Sequence, residues 1–138
     1  MATNIRAFDL AVGRWSGPEL EEKAERTVRA YAMEGLRGLL QTTPRDTGHA
    51  KGNWQVTMDT PAEGEIDRQD PTPAGMADGS PSMRDLMSLQ WEPWRPIWFH
   101  NGVPYITVLN DGGQNRTAHM MLERTMETLR SIRPLEGR

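Results

Sequence analysis

One long helical pattern that ends at a proline constrains the fold of this chain more than any other feature. From Leu20 to Leu40 apolar residues recur every three or four positions, with charged residues largely between them. Pro44 stops the pattern, because the residue before a proline avoids helical geometry. The sequence therefore predicts a long amphipathic helix on which the rest of the chain packs. Before it, Ser16 and Glu19 have the spacing of a capping box.

Two strand patterns follow the helix. Residues 53–58 alternate large apolar and polar side chains, which predicts a half-buried strand whose Trp54 faces the core. Ile97 to His100 predicts a second strand, and Asn101-Gly102 after it is typical of a tight turn. Pro104 favours an edge position, where a missing backbone donor does no harm.

Two further helices complete the prediction. Ser82 to Leu89 has helical spacing, with Ser82 and Asp85 placed as a capping box. After Asp111-Gly112-Gly113, the pattern from Ala118 to Ile132 is that of an amphipathic last helix, closed by Pro134. The predicted class is α+β, with the long N-terminal helix and the C-terminal helix packed on a small antiparallel sheet.

Length and composition predict one domain and exclude several functions. The chain of 138 residues fits a single domain, 1–138, with residues 1–14 as an arm and 59–81 as a long flexible loop poor in large apolar groups. A net charge of -3 gives no field that would draw the chain to DNA, and the absence of cysteine excludes thiol chemistry. Apolar runs are too short to cross a membrane, so we expect a soluble protein of the cytoplasm without membrane contact.

The triplet Asp46-Thr47-Gly48 is the strongest candidate for catalysis. Aspartic proteases pair two such triplets at a dimer axis, where the carboxylates share one proton. Those enzymes bury the triplet in apolar sequence, whereas Pro44 and Arg45 precede it here. Because Asp and Gly are also ordinary turn residues, a structural turn is the favoured interpretation. A dimeric protease remains an alternative.

Other candidate sites are weaker. His49, His100 and His119 have no partner at metal-ligand spacing, and the acidic residues of 59–81 do not match a calcium loop. Trp91, Trp94 and Trp98 could stack on bases, as in a small nucleic-acid-binding module, but core or subunit contact is the favoured role. We therefore predict neither a catalytic residue, a metal site nor a cofactor.

Four stretches together resemble the tail-completion, or neck, proteins of long-tailed bacteriophages. Residues 43–54 look like that family's Thr-Pro-Val-Asp-Thr-Gly-Arg-Ala-Arg-Ala-Asn-Trp pattern, and residues 97–106 are similar to its strand, Asn turn and Pro-Tyr step. Residues 109–114 and 118–121 look like the approach to its last helix, although Asn110 stands where a Glu is usual. The matching positions are Pro44, Asp46, Thr47, Gly48, Asn53, Trp54, Asn101, Pro104, Tyr105 and Gly112.

The resemblance implies a structural role in the virion. It implies a ring of identical subunits around the DNA channel at the head-tail interface, and six copies, a hexamer, would match the symmetry of the tail. The expected partners are therefore other copies of the chain, the connector or stopper above, and the tail-terminator or tail-tube protein below. DNA would only pass through the lumen, and the protein would not be an enzyme.

Overall fold

The first helix, α1, spans Pro18–Thr42 in a computed structural model that describes residues 18–44, 48–92, 94–113 and 118–132. Its last turn is closed by two threonine hydroxyls: Thr42 donates to the carbonyl of Gly38, and Thr43 donates to that of Leu39. Pro44 follows in non-helical backbone, so the predicted end of the helix is confirmed.

Short elements make up the rest of the described chain. In order they are α2 (His49–Gly52), β1 (Gln55–Met58), a 3-10 helix (Ala74–Gly79), α3 (Pro81–Met87), β2 (Ile97–His100), α4 (Ile106–Asp111) and α5 (Met121–Ser131). β1 and β2 form a two-stranded antiparallel sheet in which Val56 lies opposite Phe99. Helices packed on a small antiparallel sheet confirm the predicted α+β class.

The core lies against the C-terminal half of α1. Leu36 and Leu40 of this half are fully buried, and they belong to one apolar cluster with residues from the sheet, α3, α4 and α5. Its other buried members are Ala32, Leu39, Ala50, Trp54, Val56, Ala77, Met83, Leu86, Leu109 and Met121. Residues 20–31, by contrast, include no buried residue, so the first three turns of α1 project beyond the core.

Gly38 lets α5 approach α1 closely. A Cβ at Gly38 would lie 2.7 Å from the hydroxyl oxygen of Thr125, whereas one at Gly35 would lie 3.6 Å from Leu129, which is an ordinary contact. A glycine in a helix interior costs about 1 kcal/mol relative to alanine. The close packing of α5 is a physical reason for glycine at position 38.

α5 begins at Met121, three residues later than the sequence predicts, and Asn110 caps it. The Asn110 side chain accepts from the backbone N–H of Leu122 (3.0 Å) and donates to the carboxylate of Glu123 (3.1 and 3.2 Å). Asn110 is thus used within its own chain. Leu122 and Met126 are 52% and 48% exposed, so two of the six residues on the predicted apolar face are exposed to solvent, whereas Met121 and Thr125 are buried.

The predicted cap of α3 is wrong by two residues. Ser80, not Ser82, is the N-cap, and its hydroxyl accepts from the backbone N–H of Ser82. Pro81 decides the position, because its fixed φ and missing N–H suit the first residue of a helix. Asp85 therefore does not complete a capping box; it pairs with Arg68 at 2.7 Å.

The segment after β2 also differs from prediction. Asn101 accepts from the N–H of Val103 through its side chain (3.2 Å), so the chain turns locally after β2 and leads to α4. Pro104 is not on an edge strand but in the turn before α4, and Tyr105 is the N-cap of that helix. Gly112, with φ of 81°, ends α4 as expected.

Trp54 is a core residue, whereas Trp94 and Trp98 lie at the surface. Trp54 is buried, as predicted, although it precedes β1 because β1 starts at Gln55. Trp94 is 69% exposed and Trp98 is 42% exposed, so the core role proposed for these two is wrong. The alternative role, subunit contact, stays a prediction. Trp98 still donates its indole N–H to the carbonyl of Asp59 (2.8 Å).

Several predicted features fall outside the described residues. These are the arm 1–14, the capping box at Ser16, the residues Asp46 and Thr47 of the Asp-Thr-Gly triplet, and the stop at Pro134. None of the helices in the described ranges is both long and apolar enough to span a lipid bilayer.

Substituting Gly38 tests the α1–α5 contact. Gly38→Ala gains about 1 kcal/mol of helix propensity but forces a methyl group into Thr125, and overpacking of this kind costs about 1–3 kcal/mol. We expect a net loss of about 1 kcal/mol in the free energy of unfolding, measured by urea denaturation. Gly75→Ala, where a Cβ meets nothing within 4 Å, is the control and should lose nothing. A stabilised Gly38→Ala variant would contradict the packing described.

Candidate functional site

The predicted motif residues Gly48, Asn53, Trp54 and Asn101 meet at the turn formed by residues 48–54. Gly48 starts α2 with a left-handed backbone (φ of 74°), and Asn53 ends it. The sequence predicts only a connection here, so this one-turn helix is a correction. A second segment, residues 64–72, lies across the turn; it is called the strap below.

Glycines allow the strap to lie directly against the turn. A Cβ at Gly48 would lie 2.5 Å from the carbonyl oxygen of Asp70, and one at Gly52 would lie 2.4 Å from that of Arg68. At Gly102, beside the turn after β2, a Cβ would lie 2.0 Å from the carbonyl oxygen of Gly64. Any side chain at these three positions would push the strap away.

The side chain of Asn53 makes the two hydrogen bonds with the strap that the backbone of a neighbouring β-strand would make. Its side-chain amide donates to the carbonyls of Ile66 (3.0 Å) and His49 (2.8 Å), and its carbonyl oxygen accepts from the N–H of Ile66 (2.7 Å). Asn53 is fully buried, so each of these bonds is shielded from water. An aspartate would lack both donors.

Arg68 links the turn to α3. Its guanidinium donates to the carbonyls of Gly52 (2.7 Å) and Trp54 (3.1 Å) and to the carboxylate of Asp85 (2.7 Å). The hydroxyl of Ser82 also donates to the Trp54 carbonyl, at 2.6 Å. The turn, the strap and α3 therefore share one hydrogen-bonded network.

A buried pair of opposite charges lies beneath the strap. Lys51 is 1% exposed and Asp70 is fully buried, and the Lys51 Nζ lies 4.0 Å from Asp70 Oδ2. Lys51 also donates to the carbonyl of Thr72. Burial opposes ionisation of Asp70, but hydrogen bonds from Thr72 and Ser80 and the charge of Lys51 outweigh it and lower the pKa of this carboxyl.

Hydrogen bonds of Trp54 and Asn101 connect the turn to the end of α1 and to the segment after β2. The indole N–H of Trp54 donates to the hydroxyl of Thr43 at 2.8 Å, and this hydroxyl lies 3.1 Å from the sulfur of Met121 in α5. The Asn101 amide donates to the carbonyl of Ala50 at 2.8 Å. Residues far apart in sequence thus converge on one turn.

Polar contacts hold part of the segment predicted as a long loop, residues 59–81. The segment has few large apolar groups, but Asp70, Ala77 and Ser80 are buried and its backbone is bonded to the turn. Arg37 of α1 donates to Asp78 (2.7 Å), and this bond lowers the pKa of the Asp78 carboxyl. Polar contacts fix the segment where apolar burial does not.

Two of the candidate histidines contact the strap. His49 pairs with Glu65 (2.6 Å), while His100 lies 3.2 Å from the carbonyl of Gly64. Within the described ranges, no group of three His, Asp or Glu residues could hold a metal ion. Pro104 and Tyr105 are exposed and lie in the turn before α4.

Most hydrogen bonds of the turn and strap position backbone segments. Asn53, Arg68 and Asn101 bond to backbone groups. Asp70 is shielded from solvent, and its Oδ2 has no hydrogen-bond partner among the described residues. Sequence reasoning missed Lys51, Arg68 and Asp70 as parts of the site. The signal was weak, because charged residues in a polar loop ordinarily lie in water.

Comparison of the chain with protein-family models, with curated proteins and with solved structures finds no match. The resemblance to phage tail-completion proteins therefore stays a prediction based on the motifs.

A pair of glycine substitutions separates backbone strain from the strap contact. Gly48 and Gly64 have the same left-handed backbone (φ of 74° and 72°), but a Cβ at Gly64 meets nothing within 4 Å. We expect Gly64→Ala to cost about 1 kcal/mol from strain alone, and Gly48→Ala to cost about 3 kcal/mol because the strap must also move. Urea denaturation measures both, and equal losses would show that the contact contributes nothing.

Acid should weaken the buried charge pair in a defined range. Because the folded pKa of Asp70 lies below its ordinary value of about 3.9, its contribution is complete above about pH 4 and is lost as the pH falls through the folded pKa. Asp70→Asn has no carboxylate to titrate, so its free energy of unfolding should fall less between about pH 5 and pH 3 than that of the unaltered protein.

The same variant should be less stable near neutral pH, by about 3 kcal/mol, since Lys51 loses its buried counter-charge. Asp67→Asn changes an exposed carboxylate of the same strap and is the matched control. Identical pH profiles for the unaltered protein and Asp70→Asn would contradict the assignment.

Proposed function

We propose that this protein is a structural component of the neck or tail of a long-tailed phage virion. Copies of the chain form a ring, most simply a hexamer, that completes the tail at the head-tail interface around the DNA channel. It is not an enzyme in this proposal. Its partners are its own copies, the connector or stopper, and the tail-terminator or tail-tube protein.

A partly exposed apolar stripe on α1 supports self-assembly. Leu20, Ala24, Val28 and Tyr31 follow one another at helical spacing, and none of them is buried by the described residues. Val28 is 38% exposed although valine is apolar. The stripe lies on the projecting half of α1, where a neighbouring subunit could cover it without moving the core.

The geometry of the turn supports a structural role for the shared motif. Gly48, Asn53, Trp54 and Asn101 are four of the residues that carry the resemblance, and their contacts position backbone segments. A part of a ring must hold its shape under load, and a hydrogen-bonded turn with three close backbone contacts provides such rigidity. The mixed surface charge and net charge of -3 also suit a channel that DNA passes without binding.

A charge placed in the α1 stripe tests this function. Val28→Glu should abolish or strongly shift ring formation, because burying the carboxylate between subunits has no compensating partner. Because residue 28 is already partly exposed, the free energy of unfolding should change by less than about 0.5 kcal/mol. Sedimentation velocity gives the size of the particle, and negative-stain imaging shows whether it is a ring.

Arg26→Glu adds a carboxylate to another face of the same helix and serves as the control; it should still assemble. A strict monomer for the unaltered protein, which is also absent from purified virions, would overturn the proposal. Equal loss of assembly in both variants would assign the effect to charge rather than to the stripe.

A further inference from the structure

An apolar groove opens between α1, α3 and the start of β2. Its apolar walls are formed by Met33, Leu86, Met87, Leu89 and Ile97. Three of these residues, Met33, Leu89 and Ile97, also pack against the core cluster, so the fold fixes most of the wall. The groove is therefore present without any partner.

The size of the groove suits a small ligand. Its volume is about 210 Å³, which is below the roughly 300–1,000 Å³ of drug-sized ligand sites. An apolar cavity of about 150 Å³ holds benzene. The groove can therefore take one aromatic ring, or an alkyl chain of similar volume, together with a short polar arm.

Two nitrogen donors in the groove lack acceptors. Arg29 and Trp91 line it, and the Nε of Arg29 and the indole nitrogen of Trp91 are both buried without a hydrogen-bond partner among the described residues. Glu25 Oε1 lies 2.9 Å from the Arg29 Nε, but not in the direction of the N–H, so the ion pair leaves this donor unused. Unpaired buried donors are costly, and a ligand that carries an acceptor would remove that cost.

Charge selects a carboxylate as the acceptor. Arg29 has the one charged side chain among the described residues that line the groove. A carboxylate has two oxygens and can accept from two donors at once. A phosphate has three acceptor oxygens and up to two charges, and most of these would face apolar walls without a partner. The groove therefore matches a singly charged acid with an apolar body.

We propose that this groove binds a small organic acid, in which a carboxylate is attached to an aryl or short alkyl body. The body lies against Met33, Leu86 and Ile97, and the carboxylate accepts from the nitrogens of Arg29 and Trp91. The residues of the α1 stripe do not line the groove, so the site does not depend on ring formation.

Nuclear magnetic resonance of the full chain, labelled with a nitrogen isotope, tests the site. Hydrocinnamate is the probe, and hydrocinnamamide is a neutral control of the same shape. The five tryptophans give separate indole N–H signals, and the signal that is missing in Trp91→Phe identifies Trp91. We expect the acid to shift this signal in a saturable way and to bind about tenfold more tightly than the amide, because hydrogen bonds to a charged acceptor are stronger.

Two variants with matched controls test the donors. Arg29→Met removes the guanidinium and should weaken binding about tenfold, and Trp91→Phe keeps a ring without the N–H and should weaken it about threefold, measured by calorimetry. Arg26→Met changes an exposed position of α1, and Trp94→Phe changes a side chain that is 69% exposed. Both controls should bind the acid as the unaltered protein does.

Three results would overturn the proposal. Equal affinity for the acid and the amide would show that charge plays no part, and any neutral carbonyl would then serve. Unchanged affinity in both Arg29→Met and Trp91→Phe, with folding checked by circular dichroism, would place the acid elsewhere. A Trp91 signal that does not move at about 10 mM hydrocinnamate, well above the Kd of even a weak complex, would remove the site.

Discussion

The direct contact between two stretches of backbone, the turn at residues 48–54 and the strap at residues 64–72, is the constraint on which the rest of the structure depends. The carbonyls of Arg68 and Asp70 lie where any Cβ on Gly52 or Gly48 would be. Because the strap is so close, Asn53 and Arg68 can reach backbone partners on the other segment with side chains alone. The position of α3, and with it one wall of the core, follows from this contact.

Polar contacts hold an unusually large part of this structure in place. The apolar cluster draws mainly on the C-terminal half of α1 and on single residues from short elements. The strap brings little apolar surface, and instead buries Asp70 opposite Lys51 and satisfies its backbone through Asn53. Buried polar networks of this kind tolerate little displacement, because each broken bond leaves a shielded group without a partner.

The long elements of the fold could be predicted because they repeat a period. The helix that stops before Pro44 and the strand at Gln55–Met58 follow from the spacing that burial on one face requires, and the α+β class follows from such elements. The residues that build the candidate site could be named in part: Gly48, Asn53 and Asn101 are turn residues, and Trp54 is an evident anchor. Their resemblance to a phage motif indicates that these residues belong to one motif, but it does not predict which contacts they make.

What could not be predicted depends on tertiary contacts between polar groups. Lys51 and Asp70 are charged residues in polar sequence, and only their proximity in the fold reveals that both are buried. The cap of α3 moved to Ser80 because Pro81 has a stronger positional preference than the Ser82 pattern. The exposed Trp94 and Trp98 reverse the ordinary expectation that large aromatic residues are buried.

The spacing of these contacts along the chain also sets an order of assembly during synthesis. Asn53 and Ile66 are 13 residues apart and Lys51 and Thr72 are 21 apart, whereas Thr43 and Met121 are separated by 78. Because loop closure costs more entropy as the loop lengthens, we expect the turn and strap to form while the last helix is still being made. Until α5 arrives, the Gly35–Gly38 side of α1 is left open, so a nascent chain carries an uncovered helix face into the crowded surroundings of the ribosome.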